Sequence, residues 1–207
     1  MSHCSTFDIY FRDKKVLYKA LRNLNMSPEN RIWEEYKNLF SKKIGIGGTI
    51  IGRLLTGRYN NINIFFIEKD ENFIPYFESH KLTEEALNEY SAEISLIIQR
   101  EYLKCTVNKL ADKINSLGGN ARVAEDSNED SYSVTLIMDE GSKTLSLNLD
   151  RYGLVNESVV GVVGRSCVDL SKKIESAVGV NIHREWTYEY DTLIEDKLIQ
   201  VLKINNL

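Results

Sequence analysis

Cys167 is the residue best placed to do chemistry. It follows Gly164-Arg165-Ser166 and would sit in the first turn of a helix running through Ala177. There the backbone N–H groups and the helix dipole favour a thiolate, and Arg165 adds positive charge. A reactive or redox-sensing thiol is one reading. The other is a small buried residue packing the helix against its hairpin, the usual place for a free cysteine. No histidine lies nearby in sequence to act as a base. The histidines His3, His80 and His183 are scattered, and a metal site would need all of them to converge. Cys4, Cys105 and Cys167 are far apart and show no zinc-ligand spacing, which fits a reducing compartment.

Other candidates are weaker chemically. Asp126-Ser127-Asn128-Glu129-Asp130 invites a calcium reading, but it lacks the central glycine and final glutamate of an EF-hand loop and reads better as a hairpin tip. Glu84, Glu85, Glu89 and Glu93 form an acidic stripe, read as a solvated helix face. The stretch from Ile44 to Gly57 holds five glycines among aliphatic residues. It has no Gly-Lys-Ser/Thr step, so a phosphate loop is not expected. It reads either as a tightly packed loop and strand or as a surface for partner docking. In the docking case the contact residues are Ile46, Ile50, Ile51, Arg53, Leu54 and Leu55, with Leu198 and Leu202 on an apolar tail. Arg31, Lys37, Lys42, Lys43, Arg53 and Arg58 make this region basic, so a nucleic-acid-binding accessory role is a further alternative. The interleaved aliphatics favour protein contact. No cofactor is expected.

These residues depend on elements that the hydrophobic pattern predicts. The chain of 207 residues is 43% hydrophobic and carries a net charge of −4, which suits a packed core and argues against a general nucleic-acid binder. No secretion signal or membrane-length apolar run is expected, and the expected location is the cytoplasm. The dominant element is an amphipathic helix from Leu82 to Leu117, capped by Thr83 and ended by Gly118-Gly119. Unbroken, it would span roughly 54 Å, so either it breaks near Arg100-Glu101, the favoured reading, or one end projects and packs on another element or protein. Before it come a strand over 4–12, a helix from Lys14 capped by Asp13, a second helix from Pro28 to Phe40, and a hairpin from Asn61 to Phe77 with Pro75 on an edge. After it come strands over 121–125, 132–138, 143–149, 154–163 and 180–189, with the Cys167 helix before the last.

The predicted class is α+β. Residues 1–140 are expected to form a ferredoxin-like unit with a long helix and an insertion at 26–60, and 141–207 a small ββαβ unit with a C-terminal tail. Sheet edges in both invite pairing and self-association.

Two segments resemble known families. Met1-Ser2-His3-Cys4-Ser5-Thr6, then Asp13 to Leu21, and Gln99-Arg100-Glu101-Tyr102 on the long helix, resemble a small conserved family of chloroplast, cyanobacterial and other bacterial proteins. Its members open Met-Ser-His-Phe-Ser and carry a Gln-Arg-x-Tyr step. Cys4 departs from that pattern, as does the glycine-rich stretch. Lys143 to Tyr190 resembles a second short bacterial family, through Gly164-Arg165-Ser166-Cys167, Ala177-Val178-Gly179 and Tyr188-Glu189-Tyr190. Both families are of unknown function, and the chain reads as their fusion. Such proteins tend to be encoded beside AAA+ ATPases. The resemblance therefore implies a non-enzymatic adaptor working with such an ATPase.

Overall fold

In a computed structural model the described residues are 3–9, 11–26, 62–69, 71–79, 81–162, 170, 172, 174, 176 and 179–186. The fold is α+β, and the chain divides into two compact units, Met1–Ile9 with Thr106–Leu207, and Tyr10–Cys105.

The first unit is built on a six-stranded antiparallel sheet. Its strands are β1 (His3–Ile9), β4 (Ala121–Ser127), β5 (Ser131–Met138), β6 (Lys143–Asp150), β7 (Leu154–Val160) and β8 (Gly179–Trp186), in the order β4-β5-β6-β7-β1-β8. Alternation decides which face is buried. On β5 the residues Tyr132, Val134, Leu136 and Met138 are buried, on β6 Leu145, Leu147 and Leu149, and on β7 Val155, Glu157 and Val159. The opposite face carries Ser133, Thr135, Ser146, Asn148, Asn156 and Ser158, none of them buried. There the Thr135 and Ser146 hydroxyls share a hydrogen bond of 3.0 Å across the strands. Between β7 and β8 the residues 170, 172, 174 and 176 are helical, with Leu170 and Ile174 buried.

The second unit contains α1 (Lys14–Asn23) and the hairpin β2 (Asn63–Lys69) and β3 (Asn72–Glu78), which forms its own two-stranded sheet. Asp13 caps α1 as its sequence position predicts, accepting from Lys15 N at 3.0 Å and Val16 N at 3.1 Å. Val16, Leu17, Ala20 and Leu21 are its buried face. Pro75 lies opposite Phe66 in this small sheet, where every strand is an edge.

Helix α2 (Glu84–Ser116) runs from the second unit into the first. Thr83 begins it, its hydroxyl accepting from Ala86 N at 3.3 Å. Gly118 ends it with φ +85, and Gly119 N donates to Ile114 O at 3.0 Å. Asn115 then aligns β4, donating to Ala121 O at 2.8 Å and accepting from Ala121 N at 2.7 Å.

Three features differ from expectation. The helix does not break near Arg100-Glu101: 33 residues run unbroken, roughly 50 Å long. Ile94, Ile98, Tyr102 and Leu103 are all buried through that point, so packing holds the helix where a break was expected. The strand expected over 4–12 is divided: residues 3–9 join the large sheet, while Phe11 bridges Phe73 in the other unit. Consequently the strands are not partitioned at 140/141. β5 and β6 pair across that point from Met138↔Lys143 to Ser131↔Asp150, β1 sits among the C-terminal strands, and β2 and β3 pair only with each other. The order strand-strand-helix-strand expected after residue 141 is present, with β1 inserted between its second and third strands.

Candidate functional site

Most residues singled out for chemistry lie outside the described residues. These are Cys167 with Arg165, the glycine-rich contact set Ile46, Ile50, Ile51, Arg53, Leu54 and Leu55, the tail residues Leu198 and Leu202, His80, the basic stretch over 31–58, and the helix expected over 28–40. Among the residues the structure places are the Gln99–Tyr102 step, Cys105, the acidic turn and His3 to Thr6 of the opening motif.

Tyr102 is fully buried on α2. Its ring packs edge-on against Phe11 at 5.0 Å, and Phe11 meets Phe66 the same way at 5.6 Å. Its hydroxyl accepts from Arg12 N at 3.2 Å and Asp13 N at 3.0 Å. The phenol thereby fixes the residues that start α1, and burial pushes it up to about 12. One residue earlier, Glu101 accepts from Asn23 Nδ2 at 2.7 Å, tying the last turn of α1 to the same helix. Gln99 Oε1 and Arg100 Nε are buried atoms with no hydrogen-bond partner among the described residues. Two of the step's four side chains therefore dock α1 at both ends. The arrangement positions backbone and presents no nucleophile–base pair.

Cys105, one turn on, is buried. Its thiol donates to Glu101 Oε1 at 3.6 Å and accepts from Asn23 Nδ2 at 3.6 Å. Burial, then the Glu101 charge, push it up to about 11, which favours the thiol over the thiolate at neutral pH.

In the large sheet, His3 and Ser5 of the opening motif occupy a row position each. His3 aligns with Val159 of β7 and Trp186 of β8, and Ser5 with Glu157 and Arg184. Glu157 is 1% exposed on the apolar face, between Val155 and Val159. A carboxylate is seldom found in such a place unless it is paired. The register thus brings Ser5, Glu157 and Arg184 into one cross-strand row. No sequence pattern pointed to it, because strand neighbours 150 residues apart are invisible in a linear reading. His183 of β8 aligns with Thr6 of β1.

The acidic turn has a local explanation. Asn128 Oδ1 accepts from Asp130 N at 2.9 Å and Ser131 N at 2.8 Å, a side-chain-closed turn with its oxygen already engaged. Among the described residues no group of three or more His, Cys, Asp or Glu is placed to hold a metal ion. Of the acidic stripe, Glu84, Glu85 and Glu89 are exposed and Glu93 is half-buried. Among the described residues no helix is long and apolar enough to cross a membrane.

Compared with known proteins, a family model described as a protein of unknown function, DUF2997, matches residues 149–191, about a fifth of the chain. The match overlaps the segment from Lys143 to Tyr190 and spans the end of β6, β7, the helical residues and β8. No curated protein and no solved structure matches the chain.

Proposed function

We propose that the chain is a non-enzymatic accessory or adaptor subunit of a cytoplasmic complex that works with an AAA+ ATPase, and that it joins segments of two families. The observation that carries this reading is the start of α2. From Lys81 to Glu93 no residue is buried, although Ala86, Leu87 and Tyr90 on the first turns of α2 form an apolar seam that is only half-covered. A helix normally buries such a seam against something. Beside it lie exposed Glu84, Glu85 and Glu89, and Ile97 at 36% exposure. An acidic rim around a half-covered apolar seam suits a partner with a basic rim. The resemblance to families encoded beside AAA+ ATPases supplies the partner's class.

The test is substitution on this face. Leu87→Asp or a paired Glu85→Lys and Glu89→Lys should weaken capture of the ATPase at least tenfold while the unfolding midpoint barely moves. Unchanged capture by both variants would remove this face from the interface.

A further inference from the structure

The residues matched by the family model contain β7 and β8 but not the strand that lies between them. β7 and β8 are not hydrogen-bonded neighbours; each is antiparallel to β1 and pairs with it. On one side β1 runs from His3↔Val159 to Asp8↔Leu154, and on the other from His3↔Trp186 to Ile9↔Gly179, with a bulge after Thr6. β7 and β8 are therefore parallel to each other and two strand spacings apart, roughly 9.6 Å. This is a split strand-helix-strand unit, and its gap presents two facing rows of main-chain donors and acceptors.

The strand that fills the gap arrives from elsewhere in the chain. Residues 1–9 belong by contact to the large-sheet unit, and the chain enters the other unit at Tyr10. A strand held wholly by one unit, and joined through a single residue to a different one, is the arrangement in which identical chains exchange elements at low cost. Every native contact is remade in trans, and only the hinge changes. The register gives the gap selectivity. On the buried face of β7 the positions are Val155, Glu157 and Val159, and the occupant must align with them. β1 places Phe7 opposite Val155 and a small hydroxyl residue, Ser5, opposite the buried carboxylate.

We propose that β7 and β8 frame a strand-acceptor site, and that β1 of a second copy of this chain fills it in trans. The proposal does not depend on the adaptor reading.

Two measurements on the full-length chain test it. Cys4 lies opposite Ser158, so Ser158→Cys, with Cys105→Ser and Cys167→Ser, allows one disulfide across the β1–β7 pair. After equilibration in mild denaturant and refolding, oxidation should give a covalent dimer whose fraction rises with protein concentration. Peptide mapping should place the link between the two strands. Disulfides only within single chains at every concentration would overturn the proposal. The second measurement uses Ser5→Pro, which removes a donor in a strand paired on both sides and vacates the gap. A fluorescent peptide of residues 1–10 should bind this variant saturably, and at least tenfold more tightly than it binds the wild-type chain. The same peptide carrying Leu in place of Ser5 should bind at least tenfold more weakly. Absence of saturable binding to the variant would overturn it as well.

Discussion

Tyr102→Phe removes one oxygen and leaves the ring. The loss falls on two backbone N–H groups, Arg12 N and Asp13 N, which now donate to the phenol at 3.2 and 3.0 Å. A buried donor left without an acceptor costs about 1–3 kcal/mol. Both bonds are part-buried, so the low end applies to each and the expected loss is about 2 kcal/mol. The edge-on contacts with Phe11 should survive. Tyr102→Ala adds a cavity and should cost about 4–5 kcal/mol. Urea unfolding followed by circular dichroism measures both, through the midpoint at constant slope. A Phe variant within about 0.5 kcal/mol of wild type would refute the claim that the hydroxyl organises the start of α1. Alkaline pH supplies a second reading. The folded-state pKa is raised to about 12, above its ordinary 10.0, so the fold favours the neutral phenol. Its contribution is fully present below pH 10 and is lost as pH rises through 12, by up to about 1.4 kcal/mol per pH unit. The Phe variant should lack that segment of the profile.

Further outcomes follow from single positions. Cys105 is raised to about 11 from 9.0, so its contribution is complete below pH 9 and lost as pH rises through 11; Cys105→Ala should flatten stability in that window. At neutral pH Cys105 should alkylate far more slowly in the native chain than in urea, as read by mass spectrometry. Gly161 has φ +74, and a Cβ there would run into Ser142 O, so Gly161→Ala should cost more than about 3 kcal/mol. Gly118, at φ +85 with open space around it, should lose only about 1 kcal/mol as alanine, and thermal unfolding of the pair separates clash from backbone strain. Asn115→Ala loses both bonds to Ala121 and should cost about 1 kcal/mol, with faster amide exchange at the start of β4.

Local chemistry was legible and non-local pairing was not. Asp13 before an apolar periodic run announces α1, and Thr83 with Gly118-Gly119 brackets α2, because caps act within a few residues. Leu145, Leu147 and Leu149 alternate cleanly and share the buried face of β6. The apolar pattern over 82–117 does not decide between a broken and an unbroken helix, because its length exceeds what one compact unit needs, whereas residues 84–116 belong to two. The 4–12 strand read as continuous because alternation does not reveal that Ile9 and Phe11 have partners in different sheets. Glu157 defied reading altogether. A charged residue in an alternating strand suggests a solvent position, yet the register with Leu147 and Ser5 places it on the buried face. The Gln99–Tyr102 step was visible as a resemblance, but only the fold showed that its tyrosine anchors the backbone before α1.

The most direct test of the adaptor account is capture of the tagged chain from its own host, with and without ATP, read by quantitative mass spectrometry. The account predicts an AAA+ ATPase enriched in near-stoichiometric amount, its yield changing with nucleotide and falling with Leu87→Asp. Recovery of the chain without any such ATPase, in either nucleotide state, would contradict it.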